Sequence, residues 1–118
     1  MKQADYDLKS AEIMLDGKRY IYTIFLCHLC LEKALKGIYA QQHKKDPPRI
    51  HSLEFLVKET GLELSQSQWE FIDNLNDISV PTRYPEELDD FMTNFSGKES
   101  SDIMKKTKEM LSWLKEKL

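Results

Sequence analysis

The sequence predicts an all-α protein, an up-and-down bundle of four to five helices, and three observations carry that prediction. The four glycines and four prolines fall in clusters that separate long periodic segments without either residue at their centres, and these two residues are the strongest local breakers. Inside the segments, apolar residues recur at steps of three and four, the period of one helix face. No strand alternation and no internal repeat of solenoid period is found.

The first segment, roughly Gln3 to Leu15, sets Ala4, Leu8, Ala11 and Leu15 in one apolar stripe, and Gly17 is suited to a left-handed cap. The second, about Tyr20 to Gln42, carries two adjacent rows, Ile21, Ile24, His28, Leu31, Leu35, Ile38 and Cys27, Leu31, Ala34, Ile38. Two rows mean packing against more than one neighbour. His43 to Arg49 is polar and locally basic, and Pro47-Pro48 cannot continue a helix. His51-Ser52 starts a short third helix to about Thr60, with Leu53, Leu56 and Val57 inward, and Gly61 stops it. Ser65-Gln66-Ser67-Gln68 fits a capping box, with Leu64 and Trp69 placed for a hydrophobic staple. The fourth helix continues through Ile72 and Leu75 or Asn76 to near Ser79, and Pro81 to Pro85 breaks it. The last, about Glu99 to Leu118, turns Ile103, Met110, Leu111, Leu114 and Leu118 inward, and Ser100 or Ser101 can cap it. Its Lys105, Lys106, Lys108, Lys115 and Lys117 lie on the solvent side, the last two suiting the negative end of the helix dipole. The stretch from Glu86 to Lys98 is compatible with a short helix or a packed loop.

A length of 118 residues and 13.9 kDa suits one domain, residues 1–118. Hydrophobic residues at 41% and charged residues at 31% place the chain in the ordinary soluble class. Its net charge of −3 argues against DNA binding by bulk charge, so an anionic partner must be caught by a local site. The most apolar run, Tyr20 to Leu31, is too short to span a membrane. No signal peptide is visible at the N-terminus, and the expected location is cytoplasmic.

Cys27-His28-Leu29-Cys30 looks like a redox or metal motif, yet structural zinc takes four ligands and there is no second cysteine pair. The expectation is a pair of buried, reduced thiols and no metal. Glu32 and Lys36 are either an exposed i,i+4 pair or a buried arrangement in which Glu32 needs a partner such as His51 or Arg83. His51 follows Lys44, Lys45 and Arg49; it either meets an anion at a helix start or caps its helix with Glu54 returning the bond. Arg83-Tyr84-Pro85 sets a guanidinium beside an aromatic face, which can hold a phosphate and stack a base; the other reading is an Arg bracing helix-end carbonyls. There is no Gly-rich phosphate loop, paired-His metal motif or Gly-x-Ser-x-Gly.

Asp7-Leu8 and Ala11, the string from Cys27 to Lys36, Pro48 with His51-Ser52-Leu53, Arg83-Tyr84-Pro85 and a closing amphipathic helix with Trp113 together resemble the HEPN domain over nearly the whole chain. The resemblance implies a helical bundle, often a homodimer, that binds nucleotides and is commonly encoded beside a minimal nucleotidyltransferase as a toxin-antitoxin-like pair. Many family members are metal-independent RNases with an Arg-x4-6-His motif. This sequence departs from it: His28 comes nine positions after Arg19, His51 comes two after Arg49, and no His follows Arg83.

The expected ligand site is therefore His51, Arg83 and Tyr84, supported by Lys36 and Glu32, without a cofactor or an assigned catalytic residue. One alternative is a metal-independent RNase in which Arg83 polarises a phosphate and His51 acts as acid or base, with RNA as its ligand. The other is a pure interaction module presenting Phe91, Phe95 and Trp113.

Overall fold

The computed structural model describes residues 1–79 and 96–118. Among them it contains five helices and no strand: α1 Lys2–Asp16, α2 Tyr20–His43, α3 Leu53–Thr60, α4 Gln66–Ser79 and α5 Gly97–Lys115. The all-α bundle is as the sequence predicts. Pro81 to Pro85, Arg83 and Tyr84 among them, together with Phe91, Phe95 and most of the Glu86 to Lys98 stretch, lie outside the described residues.

The two apolar rows of α2 account for its place in the bundle. It touches each of the other four described helices, and Ile24, Leu31, Leu35 and Ile38 are buried along its length. Around it close Leu53, Leu56 and Val57 from α3, Ile72 and Leu75 from α4, and Leu111 and Leu114 from α5. Each such side chain, fully withdrawn from water, contributes about 1.5–3 kcal/mol. On α1 the inward row is Ala4, Asp7 and Ala11, while Leu8 and Leu15 are only half-buried against the core. Small residues on that row let α1 lie close.

Helix ends follow local chemistry, with three differences from the expected caps. After α1, Gly17 is right-handed at φ −82° and Lys18 takes the left-handed position at φ 59°. The amides of Lys18 and Arg19 bond the carbonyls of Leu15 and Met14, the 5→2 and 6→1 pair of a Schellman turn, so the turn is one residue later than the glycine suggests. Second, Ser52 and not His51 caps α3, its hydroxyl accepting from Phe55 N–H at 3.2 Å. Third, α5 starts earlier than expected: Ser96 accepts from Glu99 N–H at 3.1 Å, and Ser100 lies buried within the helix. α5 also ends before Leu118, which is half-exposed because no helical turn remains to hold it inward. The capping box of α4 forms as predicted, with Gln68 N–H on Ser65 Oγ and Ser65 N–H on Gln68 Oε1. Gly37, unlike the other glycines, lies well inside a helix.

Two side-chain bonds fix α3, one to α4 and one to α2. Asn76 Oδ1 of α4 accepts from Leu53 N–H at 3.0 Å, and Gln42 Nε2 donates to the Thr60 carbonyl at 2.9 Å. The first holds the start of α3 and the second its end, so the residue just before the Ser52 cap is delivered to α2 in a defined place.

Candidate functional site

The residue so delivered is His51, and it meets Glu32. Glu32 sits mid-way along α2 and is 3% exposed. Its Oε2 lies 3.0 Å from His51 Nδ1 and 3.2 Å from Lys36 Nζ. Its Oε1 lies 3.6 Å from Nδ1 of His28, one helical turn back and also buried. Lys36 arrives by the i,i+4 rule within α2, whereas His51 arrives only because α4 and Ser52 pin the start of α3. The exposed-pair reading of Glu32 and Lys36 is corrected: the pair forms, but its carboxylate is buried.

Burial works to raise the Glu32 carboxyl pKa, and the hydrogen bonds and charges of His51 and Lys36 work against it. The partners win, and the group is held below the ordinary carboxylate value. An ionised carboxylate only accepts hydrogen bonds, so it selects the His51 tautomer with a proton on Nδ1. Nε2 is then left as the imidazole's second polar atom on a side chain that is 62% exposed. The cluster is thus a buried anion that orients an imidazole and an ammonium at the protein surface. Charge-assisted bonds of this kind are about twice as strong as neutral ones.

Glu54 does not return a bond to His51; it pairs with Lys58 at 3.4 Å, so the capping role expected for His51 is corrected. Lys44 and Lys45 of the basic loop are exposed. Cys27 and Cys30 are free and buried, with burial pushing their thiols up to about 11 and about 12. Cys27 Sγ packs 3.8 Å from Met104 Sδ, which fits the core reading of the motif. Among the described residues no group of three or more His, Cys, Asp or Glu side chains is arranged to hold a metal ion. Trp113, which the interaction-module alternative presents to a partner, is half-buried against the core, with Lys117 Nζ 4.6 Å from its ring centroid.

The sequence reading missed a second buried carboxylate with a lysine partner. Asp7, 5% exposed on α1, lies 2.8 Å from Lys33 Nζ of α2. The signal was present: Asp7 stands between Ala4 and Ala11 on the inward row, where an acid must find a cation.

The fold and the site define a class: an all-α bundle carrying a carboxylate-anchored histidine and lysine between its second and third helices. The HEPN domain model matches residues 1–118, the whole chain, and the chain belongs to the HEPN family. A search of curated proteins and a search of solved structures each return no match. No helix among the described residues is long and apolar enough to cross a membrane.

Proposed function

We propose that this HEPN chain binds nucleotides, or other phosphate-bearing ligands, at the His51 cluster, and that it partners a separately encoded minimal nucleotidyltransferase in a toxin-antitoxin-like pair. The observation that carries the binding half is the shared Glu32 oxygen, which fixes His51 and Lys36 side by side at the surface. The Lys36 ammonium, and the imidazole when it is protonated and donates from Nε2 as well, suit a phosphate, and the ordering cost is already met in the free protein. Arg83 and Tyr84 complete the site in this reading, the guanidinium on the phosphate and the ring under a base. The pairing with a nucleotidyltransferase, and with it a homodimeric state, is proposed on family membership. Calorimetric titration with ATP tests the site: His51→Ala and Arg83→Ala should each weaken binding by about tenfold or more. Absence of binding at millimolar ATP, or binding indifferent to both variants, rejects it. Co-purification with the product of a neighbouring nucleotidyltransferase gene tests the pairing.

One observation favours a second reading, metal-independent RNA cleavage. A buried carboxylate on Nδ1 with Nε2 turned outward is how proteins orient a general acid or base. Cleavage of RNA in chelator, abolished by His51→Ala and lowered by Glu32→Gln, would support it. Intact RNA with the unaltered protein would remove it.

A further inference from the structure

A groove of about 530 Å³ lies where the start of α1 meets the second half of α2. Lys2, Lys33 and Lys36 stand around it, Ala4, Gly37 and Ala40 form its small-residue lining, and no acidic residue is among the described residues lining it. Its volume is that of a small-molecule site. Two of the three lysines are held from behind: Lys33 by buried Asp7 at 2.8 Å and Lys36 by buried Glu32 at 3.2 Å. An ammonium has three donors, so each lysine keeps donors beyond the one its carboxylate takes. The two stand three positions apart on one helix, hence on one face.

Gly37 supplies a second observation. It sits in the interior of α2 without a positive φ, and a Cβ built there meets nothing within 4 Å. Neither the backbone nor packing among the described residues calls for glycine, although in a helix interior it costs about 0.5–1 kcal/mol relative to alanine. What its missing side chain does leave is an open floor between the lysines and the alanines.

We propose that this groove binds a small phosphomonoester with a flat apolar body, its dianionic phosphate between Lys33, Lys36 and Lys2 and its body on Gly37 and Ala40. The site goes beyond the nucleotide reading. It shares Lys36 but requires neither His51 nor Arg83.

Calorimetric titration of the full chain with inorganic phosphate, phenyl phosphate and AMP tests it. Phenyl phosphate should bind about fivefold or more tighter than inorganic phosphate, because only it has a body to lay on the floor. Gly37→Leu should weaken phenyl phosphate about tenfold or more while the melting temperature holds or rises, since leucine is the better helix former. Lys2→Glu should weaken it about fivefold, with the loss shrinking in high salt. His51→Ala, although it frees the Glu32 oxygen that also holds Lys36, should weaken phenyl phosphate less than Gly37→Leu does, which separates this site from the nucleotide reading. AMP weakened by Gly37→Leu identifies a nucleotide as the phosphomonoester; AMP indifferent to that variant, with phenyl phosphate lost, identifies a non-nucleotide one. Phenyl phosphate bound no better than inorganic phosphate, or unaffected by Gly37→Leu, overturns the proposal.

Discussion

Glu32 is held ionised in a place where burial alone would favour its neutral form, and its contribution to stability follows from that contest. Its folded pKa lies below the ordinary value of 4.5, with burial raising it and the bonds from His51 and Lys36 lowering it further than burial raises it. A carboxyl whose folded pKa is depressed stabilises the fold above its unfolded pKa, and that stability is lost as pH falls through the folded value. Urea unfolding followed against pH should therefore show a loss beginning near pH 4.5 and deepening below it. Glu12, lowered by its hydrogen bond from Lys108, adds to the same acid limb. Glu32→Gln should cost about 1–3 kcal/mol at neutral pH and flatten that limb; an unchanged acid slope would show that Glu32 is not a partnered anion. Asp7 and Lys33 call for a parallel test: Asp7→Ala, which strands the half-buried ammonium, should lower the urea midpoint with the slope unchanged.

The caps and turns decide where each helix ends, and each has a measurable worth. Ser96→Ala removes the acceptor for Glu99 N–H and should cost about 1 kcal/mol in thermal or urea unfolding. Ser101→Ala, at the position the pattern also offered as a cap, should cost much less because Ser101 is exposed and lies within α5. Lys18 occupies the left-handed position of the α1 turn, so Lys18→Gly should raise stability by about 0.5–1 kcal/mol. A loss of stability in that variant would contradict the Schellman assignment. The α3 start is the element that places the site. Asn76→Ala leaves Leu53 N–H without its acceptor and should weaken the His51–Glu32 contact, read as a change in the His51 ring chemical shifts at neutral pH.

Over the whole molecule, α2 is the spine, and at 1.5 Å per residue its 24 residues span about 36 Å. Leu35→Ala, at a fully buried α2 position, should cost about 2–5 kcal/mol. Cys27 and Cys30 report on the same core: with thiols pushed up to about 11 and about 12 by burial, they should react with iodoacetamide at pH 8 only as fast as the protein opens. Labelling faster than unfolding would place them nearer the surface. The all-α class, four of the five helix spans to within a residue or two, and the central position of α2 were legible because apolar periodicity is a local property repeated over many residues. Leu31, Leu35 and Ile38 announce a buried face without reference to any other segment. Cap positions were less legible: the pattern offered Ser100 or Ser101 where Ser96 caps α5, because a serine is a good cap by type at any of these positions. What the sequence by itself determined is the set of helices and the faces they bury, because these follow from residue spacing along one chain segment. Only the tertiary structure decided that Glu32 meets His51 and that Asp7 meets Lys33. Those pairings join residues 19 and 26 positions apart, and no periodicity within one helix specifies which side chain a neighbouring helix will set against it.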